Sequence, residues 1–398
     1  MQLTPQGRFV VLCMIVAHLS VEGKILYPTR FAKVQIIPNS YYVPAHYKHL
    51  ISTILHVMST KKCMYTCQNH DYCRTAVYNG QTAVCSLYEE YSFVGQVRPS
   101  LVVDQSVIRF SFCPGNVDEP TSVCFATSMK PSKPIDQVIR QTFTSGSLVR
   151  INATAGSSLW STTWFTLAPM WAFDRQVMHD TNNDYIELGY TTSVAGINIA
   201  SLDGDEPNYY VLTDLGARSL FIASRSLNTT IHPTNLRTVC LSDQFVIAPS
   251  LLATNRTIYV YWRSNGSKAF FLPAPNNGVT GCIVVNEALF LIGNPPNPPI
   301  QSVPLSASST SMSNYSVIVS NSDCPQAVKP IKIDSSGRLF VSCRNASNWY
   351  MLVFTSNGTI LARIYNSFFS NTQLGIKATK YRYSLAASVG PATFIYEV

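Results

Sequence analysis

The chain has 398 residues, of which 46% are apolar and only 13% charged. It is too long for one ordinary domain and too apolar to be disordered, so at least two globular units are expected. Lys and Arg total 29 against 21 Asp and Glu, a net +8 with His neutral; so small an excess, spread without long runs, argues against a dedicated nucleic-acid protein and leaves anionic glycans or surfaces open as partners.

The N-terminus places Arg8 before an apolar stretch from Phe9 to Leu19, followed by Val21, Glu22 and Gly23. The stretch is too short to cross a bilayer as a helix, and the pattern predicts a signal peptide over residues 1–23 cleaved at Gly23/Lys24. No later apolar run is long enough to span, and Ala392 to Val398 is strand-like rather than an anchor tail. The expectation is a secreted, extracellular protein without stable membrane insertion. Of eleven cysteines, Cys13 falls in the leader. The other ten are Cys63, Cys67, Cys73, Cys85, Cys113, Cys124, Cys240, Cys282, Cys324 and Cys343, an even set that suits disulfides in an oxidising compartment. Neither a C-x2-C pair nor a zinc-spaced Cys/His block occurs. Seven N-x-S/T sequons, at Asn152, Asn228, Asn255, Asn265, Asn314, Asn345 and Asn357, are compatible with a glycoprotein; chance alone supplies about five.

Between Lys24 and Cys113, Ser52 or Thr53 is expected to cap a helix running to about Gln68, with Ile51, Leu55, Met58 and Lys62 near one face. Cys63 and Cys67 then lie one turn apart on a single stripe. Such a stripe staples a helix to a sheet in a secreted module whose core is marginal alone. A turn over Asn69 to Tyr72 leads to a strand from Cys73 to Asn79, and a hairpin through Gly80 returns along Val84 to Tyr88.

The spacing C-x3-C-x5-C-x11-C, with the Val77-Tyr78-Asn79 and Cys85-Ser86-Leu87-Tyr88 strands, resembles the PAN/apple domain over about residues 28 to 113. Ser52 and Gly95 fit the same layout. The resemblance implies a helix held on a short antiparallel sheet, Cys63 paired with Cys85, Cys67 paired with Cys73, and binding of a protein or carbohydrate. The chain departs from many members in having no cysteine between Lys24 and Lys62 to tie the domain's ends together. Cys113 is therefore expected to pair with Cys124.

Residues 114–134, rich in Pro, Gly and Ser, read as a linker. Ile135 to Gln141 fits a short helix or an entering strand. Beyond it the clearest unit runs from Pro330 to Cys343, Tyr350 to Phe354 and Ser356 to Tyr365, with four strands. Asp334 can accept hydrogen bonds from its own turn, and Gly337 supplies the positive φ of a tight reversal. A related unit runs from Gln244 to Ser250, Thr257 to Trp262 and Ser264 to Leu272; aligning the two places Cys240 on Cys324 and Trp262 on Cys343. Weaker units are Cys282 to Val285 with Ala288 to Ile292, and Ile197 to Ala200 with Tyr209 to Leu212 and Leu220 to Ala223. Repeated antiparallel sheets predict an all-β propeller over 135–398, of about six blades at about 40 to 45 residues each. Ala392 to Val398 is expected to complete a blade begun near the domain's start. The Ile333-Asp334-x-x-Gly337-x-Leu339-Phe340-Val341 unit resembles NHL-type six-bladed repeats; a pair of β-sandwiches is the alternative. Pro295 to Pro299 and the Ser-rich stretch to Ser313 read as an exposed loop. Cys240–Cys282 and Cys324–Cys343 are pairings by proximity alone.

No nucleophile elbow, Walker A motif, H-E-x-x-H or dinucleotide fingerprint is present. His46, His49 and His56 read as ordinary histidines rather than ligands. His179 and Asp180 with Asn182, Asn183 and Asp184, and Asp203-Gly204-Asp205-Glu206, read as solvated turns rather than Ca2+ sites. Trp160, Trp164, Trp171 and Trp262 are candidates for stacking on sugars or packing between sheets. Lys61, Lys62 and Arg74 are candidates for meeting an acidic partner, or a solvated helix face. The expected protein is a non-enzymatic recognition or adhesion protein that binds an extracellular protein or glycan through the apple-like module and the propeller surface. A Ca2+-dependent lactonase- or esterase-like propeller hydrolase and a structural matrix component are its rivals. No catalytic residue, cofactor or metal ligand is assigned.

Overall fold

The computed structural model describes residues 32–112 apart from 71–72, most of 236–365, and elsewhere only the backbone of strands at 9–13, between 147 and 231 and between 374 and 397. The expected linker, Cys113, Cys124 and Ile135 to Gln141 lie outside the described residues. Two compact units result: Met1–Pro44 with His49–Lys133, and Ala45–Lys48 with Pro134–Val398.

The first unit contains β1 (Phe9–Cys13), β2 (Ala32–Pro38), β3 (Ser40–Val43), β4 (Leu50–Ile54), α1 (Thr60–Asn69), β5 (Thr75–Asn79), β6 (Val84–Tyr88), β7 (Gln96–Pro99) and β8 (Gln105–Phe112). Six strands form a sheet in the order β1-β2-β8-β5-β6-β4, and β3 pairs separately with β7. All these pairings are antiparallel. Alternation along β5 and β8 divides the core in two. Ala76, Tyr78, Ile108 and Phe110 pack with Cys63, Met64 and Cys67 of the helix, whereas Val77 and Val107 pack with Tyr42 of the small sheet.

The helix begins later than expected. Ser59, not Ser52 or Thr53, is its N-cap and accepts the Lys62 N–H at 3.2 Å. Residues 50–54 form β4 instead, with Ile54 opposite Cys85. The β-branched residues Ile51, Thr53 and Ile54 are stiff at χ1 and pack well on a pleated surface, which outweighs the helical spacing of the apolar positions. The apolar run that opens the expected leader supplies β1 at the sheet's edge, so a chain cut at Gly23/Lys24 loses that strand and leaves β2 outermost.

The second unit is all β among its described residues. In chain order its strands are β9 (Ser147–Asn152), β10 (Leu159–Trp164), β11 (Pro169–Phe173), β12 (Gln176–His179), β13 (Tyr190–Ser193), β14 (Ile199–Glu206), β15 (Tyr209–Asp214), β16 (Leu220–Ala223) and β17 (Asn228–Ile231). They continue as β18 (Cys240–Leu241), β19 (Phe245–Pro249), β20 (Thr257–Trp262), β21 (Lys268–Pro273), β22 (Val279–Val285), β23 (Ala288–Gly293), β24 (Ile300–Pro304) and β25 (Ser316–Val319). The last are β26 (Gln326–Ile333), β27 (Arg338–Arg344), β28 (Trp349–Thr355), β29 (Ile360–Tyr365), β30 (Leu374–Ala378), β31 (Tyr383–Val389) and β32 (Ala392–Glu397). They form six four-stranded sheets, five of four consecutive strands and a sixth in the order β30-β31-β32-β9. The last strand of the chain thus pairs with the first strand of the unit, Ile395 opposite Val149. First strands neighbour one another in cyclic succession: β10 with β14, then β18, β22, β26, β30 and β10 again.

Burial along the strands explains the succession. Leu339 to Cys343 and Tyr350 to Phe354 are buried without a break, which requires cover on both faces of the sheet. One continuous cluster joins Ile247, Ile258 and Val260 of one sheet to Val284, Leu289 and Val303 of the next. Fourth strands such as β21 and β29 are instead largely open. At the reversal before β27, Asp334 Oδ1 accepts the Arg338 N–H at 2.9 Å and Gly337 adopts φ 78°.

Three local expectations fail. Ile300–Pro304 is a strand inside the segment expected to be a loop, because Ile300 and Val303 find apolar neighbours that offset the flanking prolines. Trp262 closes a third strand whereas Cys343 lies in a second, so the two do not correspond. Asp203-Gly204-Asp205-Glu206 belongs to β14 and pairs, through a bulge, with β15 rather than forming a solvated turn.

Disulfides cross-link both units: Cys63–Cys85 and Cys67–Cys73 in the first, Cys240–Cys282 and Cys324–Cys343 in the second. Cys240–Cys282 ties the first strands of adjacent sheets, β18 and β22. In the first unit the sequence separations are 22 and 6. Loop-closure entropy then makes the Cys63–Cys85 bridge contribute about 3 kcal/mol and Cys67–Cys73 about 2 kcal/mol. Urea denaturation of the two double-alanine variants is expected to rank them in that order; equal losses contradict an entropic origin.

Candidate functional site

Helix α1 is short, so propensity alone leaves it marginal. Its i, i+4 stripe of Cys63 and Cys67, with Met64, is buried and bonded by sulfur to β6 and to Cys73. That fixes which face looks outward. Lys61, Lys62 and Tyr65 lie on it, and the Lys61 ammonium sits 5.9 Å from the Tyr65 ring centroid. The segment entering the helix leaves Leu55 61% and Met58 82% exposed, two apolar side chains beside two cations. These were expected to lie along a helix stripe; outside the helix they face solvent.

Arg74 does not join that face. It is buried, donates from Nη1 to the Glu89 carbonyl at 2.9 Å and lies 4.8 Å from the Tyr91 ring centroid. Its neighbourhood is a buried polar cluster under β3 and β7. The Tyr42 hydroxyl donates to Glu90 Oε1 at 2.6 Å, His49 Nδ1 bonds Glu90 Oε2, and the Thr75 hydroxyl donates to the Glu90 carbonyl at 2.8 Å. Gly95 donates its N–H to the Tyr42 oxygen at 3.1 Å. A Cβ on Gly95 would collide with that hydroxyl and the Val43 carbonyl. Tyr42, His49, Thr75 and Glu90, buried and bonded in this way, rigidify what they hold. Here they hold the segment after β6, where Tyr91 and Phe93 stack 5.3 Å apart and Phe93 is 63% exposed. Burial, reinforced by the Glu90 carboxylate, holds the Tyr42 phenol far above its ordinary range. Burial also pushes Tyr88 up to about 12.

The remaining candidates are dispersed. His46 and His49 are buried, and among the described residues no three His, Cys, Asp or Glu converge as a metal site requires. Trp160 and Trp164 lie in β10 and Trp171 in β11, while Trp262 ends β20 half-exposed. His179 ends β12, and Asp180 to Asp184 lie outside the described residues. Among the sequons, Asn152 ends β9, Asn228 opens β17, Asn265 and Asn357 are exposed in turns, Asn345 is half-buried, and Asn255 and Asn314 lie outside the described residues. Sequence reasoning missed the Tyr42–Glu90–His49 cluster because its members stand 41 and 48 positions apart. The one signal was a Glu89-Glu90 pair in an acid-poor chain.

Residues 34–112 match the PAN domain. The chain thus carries a small, disulfide-rich PAN domain followed by a β-rich region. No curated protein matches the chain. Among solved structures it is similar to Kluyveromyces lactis Hsv2 with complete loop 6CD, at 10% identity and a TM-score of 0.41 over 58% of this chain and 71% of that one. A second structure of Kluyveromyces lactis Hsv2 is similar at 10% identity and a TM-score of 0.40, over 58% and 72%. PAN domains in general mediate protein or carbohydrate interactions, and the disulfides are typical of extracellular proteins. Among the described residues no helix is long and apolar enough to cross a membrane.

The cluster makes two predictions for the PAN domain. Replacing Tyr42 by Phe removes a hydrogen bond to a buried carboxylate and is expected to cost about 1.5 to 3 kcal/mol in urea denaturation; an unchanged midpoint contradicts the structural role. An unfolded tyrosine releases its proton near pH 10, whereas Tyr88 holds its proton to about 12. The folded state therefore binds more protons in that window. Stability is complete below pH 10 and falls as pH rises toward 12; Tyr88→Phe is expected to shallow the fall measured between pH 9 and 11.

Proposed function

We propose that this is an exported recognition protein that acts by binding rather than catalysis, with its leader removed at Gly23/Lys24. The PAN domain takes an anionic protein or carbohydrate ligand on the outward face of α1. The observation that carries this reading is the exposure of Lys61, Lys62 and Tyr65 on a helix immobilised by two disulfides, with Leu55 and Met58 exposed in the segment that enters it. Cations supply attraction, the ring and the apolar side chains supply contact area, and a rigid support lowers the entropy lost on binding.

In the same reading the second unit is a six-bladed propeller of NHL-like repeats. Support comes from the cyclic succession of first strands, the unbroken burial along β27 and β28, and the closing pair of β32 with β9. A sandwich pair has no use for such a cycle.

The test is a binding screen of the secreted chain against sulfated glycans and acidic proteins, followed by the double variant Lys61→Glu, Lys62→Glu. Reversing two exposed charges is expected to weaken the best ligand by about tenfold or more, with unchanged thermal unfolding. Undiminished binding by the variant removes this face from the proposal.

A further inference from the structure

Asn265 lies between β20 and β21 and Asn357 between β28 and β29, in each case joining the third strand of a sheet to the fourth. Both are exposed. Both turns also use the same side-chain atom. Asn265 Oδ1 accepts the Ser267 N–H at 2.9 Å, and Asn357 Oδ1 accepts the Thr359 N–H at 3.3 Å and hydroxyl at 3.1 Å. The amide nitrogen Nδ2, the atom that bears an N-linked sugar, takes no part in these bonds. A glycan added there leaves the turn intact. The middle residue of each sequon, Gly266 at φ 68° and Gly358 at φ 88°, has no side chain to crowd it.

The two sites differ three residues upstream. Before Asn357 stands Phe354, wholly buried. Before Asn265 stands Trp262, 41% exposed, its ring centroid 4.8 Å from that of Phe245. Trp262 spans the same turn, since its N–H donates to the Ser267 carbonyl and its carbonyl accepts the Gly266 N–H, both at 2.8 Å. An indole left half open beside an exposed sequon has a surface that a sugar fits, because the positively polarised C–H face of a pyranose meets the negative face of the ring.

We propose that Asn265 carries an N-linked glycan whose first N-acetylhexosamine packs on Trp262, and that Asn357 carries one without such a contact. In the transfer, Nδ2 bonds to the anomeric carbon of a lipid-pyrophosphate-linked oligosaccharide. The bond from that carbon to the pyrophosphate oxygen breaks, the amide loses one proton, and the lipid pyrophosphate leaves. The inference rests on the export reading above and extends it to a built contact between sugar and fold.

The full chain is expressed in a eukaryotic secretory line with its own N-terminus and, in parallel, with residues 1–23 replaced by an efficient secretory leader. Glycopeptide mapping is expected to find sugar on Asn265 and Asn357. Complete enzymatic removal should lower the Tm of the second unit by about 2 to 4 °C, while trimming to the first sugar leaves it unchanged. In Ser267→Ala, which loses only that sequon, and in Trp262→Ala, complete removal should no longer shift Tm; Trp262→Leu replaces the latter if it does not fold. Asn265 bare in the secreted chain, or a full shift persisting without the indole, overturns the inference. Secretion and the Tm pattern only with the substituted leader uphold it and remove the leader assigned to residues 1–23.

Discussion

Two sulfur–sulfur bonds carry the first unit. A helix of three turns and a sheet of short strands bury too little to hold a unique arrangement with much margin. Cys63 and Cys67, one turn apart, convert the helix's inner stripe into covalent attachments to β6 and to the segment before β5. Everything outward-facing follows from that choice of stripe. Lys61, Lys62 and Tyr65 are presented because the residues between them are anchored. The same constraint makes this face suitable for recognition, since a clamped helix loses little freedom when a ligand settles on it.

On the other side of that sheet a different device does the same work for a loop. Glu90 is wholly buried and bonded to Tyr42 and His49, and Gly95 lets the chain return against the Tyr42 hydroxyl. Polar satisfaction rather than apolar burial thus fixes the stretch that presents Phe93. The second unit relies on neither device alone. In the sheet of β26 to β29 the second and third strands are buried on both faces, so that sheet depends on its neighbours, and Cys240–Cys282 bonds another adjacent pair of sheets directly. A row of sheets with this requirement leaves two unsatisfied outer faces unless it closes, which is the physical pressure toward the ring we propose.

Much of this was legible in the sequence, for identifiable reasons. Cysteine spacing is local, so the stapled helix and the β5–β6 hairpin could be placed from residues within one short window. Asp334 and Gly337 announced their reversal because turn chemistry is also local. The start of α1 was misplaced because Ile51, Leu55, Met58 and Lys62 carry a helical spacing that the β-branched content of Leu50–Ile54 overrides once β6 offers a partner. The strand at Ile300–Pro304 was hidden by flanking prolines whose cost is offset only by tertiary burial of Ile300 and Val303. Arg74 resembled a surface cation until Glu89 and Tyr91, distant in sequence, enclosed it. Long-range polar pairing leaves no periodic trace in a sequence.

Oxidised sulfur selects the outward face of α1. Non-reducing peptide mapping of the chain expressed in an oxidising host tests it most directly: one fragment is expected to join the Cys63 and Cys85 peptides and another Cys67 and Cys73. Free thiols at these positions, or a fragment joining Cys63 to Cys73, would contradict it.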